Sequence, residues 1–174
     1  MKFYNRNDEL LLLSDIRLRS HNSAQMTMVF GRRRIGKTRL ILKSLEDEIF
    51  LYFFVTRKSE SLLCDEYIDH VKEHLNIPVY GSISKFRDLF SIIVDASKQK
   101  QINLVIDEFQ EFQTVNPSIY SELQDIWDRN KDVSRLNLIL CGSVYSLMKK
   151  IFEHAKEPLF GRLTERIHLQ PFNI

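Results

Sequence analysis

A glycine-rich and strongly basic segment, GRRRIGKT, covers residues 31–38 and matches the pattern G-x-x-x-x-G-K-[ST]. Glycines let the backbone turn and approach an anion closely, so that several backbone N–H groups can converge on it. A helix directly after such a loop adds its unpaired N-terminal amides and the positive end of its dipole. In this pattern Lys37 reaches the β- and γ-phosphates and the Thr38 hydroxyl ligates Mg²⁺. The segment therefore predicts a loop that binds a triphosphate tail.

Positive charge is concentrated around this loop in a chain whose formal net charge is only +2. Polyphosphate is the counter-charge that we expect for it. Arg32, Arg33 and Arg34 can each contact phosphate, a neighbouring subunit or only water. The residues of this segment that we expect at the nucleotide are Gly31, Arg33, Arg34, Ile35, Gly36, Lys37, Thr38 and Arg39.

Two carboxylates, Asp107 and Glu108, follow the apolar run INLVI. A continuous apolar run is typical of a strand that is buried on both faces, so the pair is expected at the end of such a strand. Asp107 is predicted to hold the Mg²⁺ shell, and Glu108 is predicted to orient or deprotonate water. The alternative is a turn that simply begins with acidic residues. A strand–helix pair (49–75) and a further helix separate this strand from the loop, so it need not be the neighbour of the loop's strand.

Two further polar residues are candidates for the chemistry. Ser143 follows the apolar run LNLILCG, where it can sense the γ-phosphate, position water or cap the next helix. Arg162, in LFGRLTER, is a candidate arginine finger for a neighbouring chain, and the alternative is an ordinary surface arginine.

The periodicity of apolar residues predicts the elements that position these side chains. Helices are expected at Asn7 to His21, Lys37 to Glu48, Ser59 to Leu75, Ser84 to Lys98, Pro117 to Asn130 with Asn116 as N-cap, and Val144 to Phe152. Strands are expected at Met26 to Phe30, Ile49 to Val55, Ile102 to Asp107, Leu136 to Gly142 and within RIHLQPF. Apolar strands that alternate with amphipathic helices predict an α/β fold with three αβα layers and a mostly parallel five-stranded sheet. The run IFLYFFV predicts a strand that is covered on both faces.

Five segments together resemble the archaeal-type ATPase family, in the STAND branch of P-loop ATPases near the AAA+ proteins. They are FYNRNDEL, GRRRIGKTRL, LVIDEFQEF, LILCGSVYSLMKKIF and PLFGRLTERIHLQPF. The resemblance runs from about Phe3 to Phe172 and implies an ATP-binding P-loop NTPase core of the additional-strand class. It implies that residues 31–38 are the Walker A motif, that Asp107 and Glu108 are the Walker B pair, and that Ser143 is at the sensor position. Tyr4, Asn5 and Arg6 match an N-terminal block that in related ATPases lies along the adenine.

Members of this family usually continue into a helical lid and a C-terminal domain. We therefore expect residues 1–174 to be one ATPase core domain that lacks those parts. Nucleic acid is expected as a partner only through the absent domains, whereas a homo-oligomer or partner chain can supply an arginine.

Three functions are compatible with these residues. The first is Mg²⁺-dependent hydrolysis of ATP to ADP. The second is a switch that binds ATP with little turnover and whose state is read by other domains. The third is a small-molecule kinase, suggested by the spacing of Arg162 and Arg166, but Glu108 argues against it because a kinase must protect its phosphoryl group from water.

Composition excludes several other classes. No stretch approaches the roughly 20 apolar residues of a membrane-spanning helix, and MKFYNRNDEL lacks the apolar core of a secretory signal, so a cytoplasmic protein is expected. Cys64 and Cys141 lie far apart in apolar segments and are expected to be reduced and buried. The near-neutral net charge gives no general argument for nucleic acid or membrane binding.

Overall fold

The computed structural model of the protein describes residues 6–171, which form one five-stranded sheet with helices on both faces. The strands are β1 (Gln25–Phe30), β2 (Phe50–Phe54), β3 (Ile102–Asp107), β4 (Leu136–Gly142) and β5 (Glu165–His168). The α-helices are α1 (Asn7–Arg19), α2 (Lys37–Ser44), α3 (Glu60–Leu75), α4 (Phe86–Ser97), α5 (Phe112–Val115), α6 (Ser118–Asn130) and α7 (Tyr145–Glu153). The predicted three-layer α/β fold is confirmed.

The strand order is β2-β3-β4-β1-β5, and every neighbouring pair is parallel. Strand β4 lies between β1, which leads into the glycine loop, and β3, which ends in Asp107. Leu140 of β4 is opposite Met28 on one side and Ile106 on the other. The strand that leads into the loop and the strand that ends in the carboxylates are therefore separated in the sheet by one strand, β4, as the additional-strand class implies. Because all five strands are parallel, their carboxyl ends meet at one edge of the sheet.

The three central strands, β1, β3 and β4, are buried along their whole length. Successive side chains of a strand point to opposite faces, so each strand contributes to two cores. Met28 belongs to the larger core, which α3, α4, α6 and α7 cover, and Val29 belongs to the smaller core under α1 and α2. These two layers explain why the central strands are predominantly apolar on both faces.

Strand β2 is an edge strand with only one fully buried face. Leu51 and Phe53 are buried, Phe50 and Tyr52 are partly exposed, and Phe54 is 46% exposed. The prediction that both faces are covered is therefore wrong for this strand. Its second face lies at the margin of the smaller core, where α1 and α2 pack on each other and leave Phe50 and Tyr52 only partly buried.

Several helix boundaries differ from the sequence-based expectation, and one segment contains helical turns that were not expected. Helix α2 ends at Ser44 rather than Glu48, because the acidic run 46–48 would place negative charge at the negative end of the helix dipole. Helix α6 begins one residue after Pro117, and Asn116 Oδ1 accepts a 3.1 Å hydrogen bond from Ser118 N. A 3₁₀ turn (Phe109–Glu111) and the short α5 follow β3 directly and were not predicted. Among the helices of residues 6–171, none has both the length and the apolar character that crossing a bilayer requires.

Candidate functional site

A cleft of about 770 Å³ lies at the carboxyl edge of the sheet. Its volume is within the usual range for a site that encloses a small molecule. The residues that line it come from the glycine loop, the start of α2 and the ends of β2, β3 and β4. They are Arg33, Arg34, Gly36, Lys37, Thr38, Arg39, Phe54, Val55, Thr56, Arg57, Asp107, Glu108, Glu111 and Ser143. Residues from four separate parts of the sequence therefore share one site.

The glycine loop has the backbone conformation that its sequence implies. Gly36 has a φ of 93° and Gly31 a φ of 154°, both values that residues with a side chain rarely adopt. A Cβ on Gly31 would lie 2.6 Å from the backbone oxygen of Leu169, the residue after β5. Arg34, which is not a glycine, also has a positive φ of 63°. The loop is therefore tightly turned and packs against the chain that follows β5.

The ammonium group of Lys37 is held by the loop itself. Lys37 Nζ donates hydrogen bonds to the carbonyl oxygens of Gly31 at 2.8 Å and Arg32 at 2.6 Å. Although Lys37 lines the cleft, the residue is only 6% exposed. A buried ammonium needs such partners, because its charge is costly to bury without them. An anionic ligand would supply stronger acceptors than these carbonyl groups.

Asp107 is the most heavily contacted carboxylate of the cleft. Its Oδ2 accepts hydrogen bonds from Thr38 Oγ1 at 2.8 Å and from Tyr52 Oη at 2.5 Å, while its Oδ1 accepts one from Glu108 N at 2.8 Å. The side chain is buried. Thr38 and Asp107 therefore place a hydroxyl and a carboxylate side by side, and such hard oxygen ligands suit Mg²⁺, which usually takes only one or two carboxylates from the protein.

Two groups beside Asp107, the partly buried phenol of Tyr52 and the buried thiol of Cys141, have pKa values that their surroundings raise. Burial raises the pKa of the Tyr52 phenol above its ordinary value, and the hydrogen bond to Asp107 raises it further. Burial also raises the pKa of the Cys141 thiol, and the charge of Asp107 adds to this shift. Tyr52 therefore acts as a hydrogen-bond donor to Asp107. No local sequence pattern marks Tyr52, because it lies within a strand and its hydroxyl reaches Asp107 only through the pairing of β2 with β3.

Glu108 adopts a left-handed conformation, with a φ of 55°, immediately after β3. Its Oε2 accepts hydrogen bonds from Ser143 Oγ at 2.9 Å and from Gln110 Nε2. Ser143 had two predicted roles, a polar group of the site and a helix cap. The structure places its hydroxyl on Glu108, and α7 begins at Tyr145 with no side-chain hydrogen bond at its N-cap, Val144.

The predicted nucleotide contacts lie in different places. Arg33, Arg34 and Arg39 line the cleft with exposed side chains, whereas Ile35 packs against Gly31 outside the cleft lining. The guanidinium of Arg6 donates a 2.6 Å hydrogen bond to Gln170 O, next to the chain that contacts Gly31. Tyr4 and Asn5 lie outside the described residues.

A charged pair at the rim of the cleft was not predicted. Arg57, just after β2, and Glu111, in the 3₁₀ turn after β3, form an ion pair with an Nε–Oε2 distance of 2.9 Å. Both residues line the cleft. The sequence did not indicate this ion pair, because a charged residue in a loop usually lies at the protein surface without a specific role.

Arg162 does not line the cleft. Its guanidinium forms a two-point ion pair with Asp128 of α6, with N–O distances of 2.9 and 3.2 Å. This pair raises the pKa of Arg162 and lowers that of Asp128, in each case chiefly through the hydrogen bond between them. Arg166 pairs instead with Glu153 of α7, at 3.4 Å. The two arginines therefore contact different helices.

Comparison with known sequences identifies a family and a long relative. The profile of a family described as an ATPase domain predominantly from Archaea matches residues 3–174. The uncharacterised protein MJECL04 of Methanocaldococcus jannaschii is 31% identical over 169 residues, which is 97% of this chain and 36% of that protein. A second protein of the same organism, MJ0424, is 36% identical over 56 residues, 32% of this chain and 54% of that protein. The chain thus spans about a third of the length of MJECL04.

Solved structures share the fold at low sequence identity. The ORC2 protein of Aeropyrum pernix, solved as ADPNP and ADP complexes, has a TM-score of 0.69 at 17% identity and covers 97% of this chain and 48% of its own. Cdc6p of Pyrobaculum aerophilum has a TM-score of 0.66 at 16% identity, with 98% and 46% covered. This likeness shows the AAA+ type of P-loop NTPase fold. Together with the match of the family profile to nearly the whole chain, it means that the protein belongs to the family of ATPase domains found predominantly in Archaea.

Proposed function

We propose that this domain binds ATP and hydrolyses it to ADP and phosphate with Mg²⁺. The observation that supports this most directly is the contact between Thr38 and Asp107 at 2.8 Å, beside Lys37 and Glu108 in the same cleft. Phosphate binding, metal binding and water activation need these groups within one site. The membership of an ATPase family agrees with this chemistry.

The loop and Lys37 hold the triphosphate in this proposal. The backbone amides at the start of α2 face the phosphates, and the Lys37 ammonium exchanges the carbonyl groups of Gly31 and Arg32 for phosphate oxygens. Arg33, Arg34 and Arg39 add positive charge along the cleft. Arg6, Tyr4 and Asn5 are assigned to the adenine side, and Ile35 supports the loop by packing on Gly31.

Thr38 and Asp107 would hold Mg²⁺ through the hydroxyl and carboxylate oxygens. The metal, when bound, offsets negative charge on the phosphate oxygens. Glu108 orients a water molecule and accepts its proton, and Ser143 holds the carboxylate of Glu108 through its 2.9 Å hydrogen bond.

The test is the substitution Glu108→Gln, which keeps the size of the side chain and removes the base. ATP affinity, measured by calorimetry with Mg²⁺, should stay within about twofold, while phosphate release should fall by about 100-fold or more. Lys37→Ala is the matched binding variant and should abolish measurable affinity. Unchanged turnover by Glu108→Gln would remove Glu108 from the mechanism.

A second candidate is a switch that binds ATP with little turnover. It is favoured by the two carbonyl contacts of Lys37, since its ammonium would exchange the Gly31 and Arg32 oxygens for phosphate oxygens when a nucleotide binds. Occupancy of the cleft thereby changes the loop and the start of α2. Saturable ATP binding with no change in hydrogen exchange at residues 31–44 would count against this function.

The remaining parts of the proposal concern assembly and location. Arg162 acts as an arginine finger in a neighbouring copy or partner chain, which requires it to leave Asp128. Contact with nucleic acid is assigned to other domains of a longer protein, and the protein is placed in the cytoplasm.

A further inference from the structure

Gln110 is a buried amide that contacts the proposed catalytic base. It lies in the 3₁₀ turn after β3 and is 1% exposed. Its Nε2 donates a hydrogen bond to Glu108 Oε2, the same oxygen that accepts from Ser143 Oγ. Gln110 itself does not line the cleft. One oxygen of the Glu108 carboxylate is therefore held from two sides by groups on different segments.

The contact defines the orientation of the Gln110 amide. An amide presents two N–H donors on one side and an acceptor on the other. If the amide were turned around, its Oε1 would face the carboxylate of Glu108, and two acceptors would repel each other. Within residues 6–171 Gln110 Oε1 is buried without a hydrogen-bond partner. The amide therefore presents its N–H side to Glu108 and its oxygen to Gly142.

Gly142 makes room for this amide. A Cβ at Gly142 would lie 2.6 Å from Gln110 Oε1 and 2.4 Å from Met148 Sδ. Gly142 is the last residue of β4 and directly precedes Ser143. The absence of a side chain at Gly142 therefore leaves room for the Gln110 amide, which reaches Glu108 from the turn after β3 while Ser143 reaches it from the end of β4.

We propose that Gln110 is a positioning residue for hydrolysis, which acts by fixing the carboxylate of Glu108. This inference rests on the proposed function of Glu108. With Oε2 held by Gln110 and Ser143, Oε1 is the oxygen that accepts the proton from water. If only one donor held its carboxylate, the side chain of Glu108 would rotate more freely. A misplacement of about 1 Å in a catalytic group can reduce a rate by about 100-fold.

The experiment measures single-turnover hydrolysis and ATP affinity for Gln110→Met, which removes the donor and keeps nearly the same length. We expect the rate to fall by about 10- to 100-fold, with the Kd for ATP changed less than about twofold. Gln124→Met, on α6 and outside the cleft lining, is the matched control and should keep the wild-type rate. Gln110→Leu, which is uncharged and carries no hydrogen-bond donor, provides the same test if Gln110→Met does not fold.

A double-mutant cycle separates positioning from a general structural role. Because Gln110 acts only through Glu108, Gln110→Met should change the rate less than about twofold when Glu108 is already Gln. An equal loss in both backgrounds, or a rate unaffected in the wild-type background, would overturn the inference. In that case the dependence of hydrolysis on Glu108 would still support the proposed function. Absence of hydrolysis in the wild-type protein would overturn both.

Discussion

The hydroxyl of Thr38 and the carboxylate of Asp107 are joined by a 2.8 Å hydrogen bond across 69 residues of sequence. Thr38 lies at the start of α2 and Asp107 at the end of β3, two strands away from the strand that leads into the loop. The contact brings together the two oxygen groups that the proposed Mg²⁺ site needs. In this proposal, these two side chains would hold the metal through the hydroxyl oxygen of Thr38 and the carboxylate of Asp107.

Thr38→Val should remove the Mg²⁺-dependent part of ATP affinity, because valine has a similar shape but no oxygen. Thr38→Ser retains the hydroxyl and is the control, which should keep most of that part. Calorimetry with Mg²⁺ and with a chelator measures both. The ratio of the ATP affinity with Mg²⁺ to the ATP affinity with a chelator should fall by about tenfold or more in Thr38→Val. The reason is that each lost metal or charge-assisted contact contributes about 1.5–3 kcal/mol. Equal Mg²⁺ dependence in both variants would exclude Thr38 as a ligand.

Alanine at the two loop glycines should affect stability unequally. A Cβ on Gly31 meets the backbone oxygen of Leu169 at 2.6 Å and Ile35 Cδ1 at 2.4 Å, whereas a Cβ on Gly36 meets nothing within 4 Å. Both positions have a positive φ and carry conformational strain. Gly31→Ala should therefore lower the free energy of unfolding by about 1–3 kcal/mol more than Gly36→Ala. Thermal or urea unfolding compares the two variants directly.

Gly31→Ala should also show whether the chain after β5 supports the loop. If its unfolding midpoint matches that of Gly36→Ala, the close approach of Gly31 to Leu169 contributes nothing beyond conformational strain.

Cys64 should make the protein less stable at alkaline pH. Burial raises the pKa of its thiol to about 12, and the neighbouring charges of Glu60 and Asp65 add to the shift. Between pH about 9 and 12 the unfolded chain loses this proton while the folded chain keeps it, so stability falls as pH rises. Cys64→Ala removes this contribution. The fall of its free energy of unfolding with pH should therefore be shallower than that of the wild-type protein, by up to about 1.4 kcal/mol per pH unit. Urea unfolding from pH 8 to 11 measures both slopes, and parallel curves would contradict the prediction.

Arg162→Ala tests the proposed arginine finger. In wild-type protein, hydrolysis per chain should rise with protein concentration, because a neighbouring copy supplies the arginine. Arg162→Ala should abolish this rise, whereas Arg129→Ala, which breaks an exposed ion pair with Asp125 on the same helix as Asp128, should leave it intact. The thermal midpoint of Arg162→Ala should change little, since an exposed ion pair contributes about 0–1 kcal/mol. If hydrolysis by Arg162→Ala still rose with protein concentration, Arg162 would be excluded as the arginine finger.

Local patterns in the sequence were sufficient for the fold class and for the strands of the core. The runs at β1, β3 and β4 are predominantly apolar because each of these strands is buried on both faces. The same reasoning failed at β2, where an apolar run belongs to a partly exposed edge strand. An apolar composition indicates that at least one face of a strand is buried, but it does not indicate whether the strand lies at the centre or at the edge of the sheet.

The sequence by itself determined the chemical groups of the site, namely a glycine loop with Lys37 and Thr38, and a carboxylate pair after a buried strand. These groups can be identified from residue types at fixed spacing, because such short patterns favour a particular local backbone conformation, here a turn or the end of a strand. Only the tertiary structure decided that Tyr52 contacts Asp107, that Gln110 and Ser143 share one oxygen of Glu108, and that Arg162 pairs with Asp128. The physical reason is that these contacts depend on strand order and on side-chain packing between segments far apart in the chain, which no local spacing encodes.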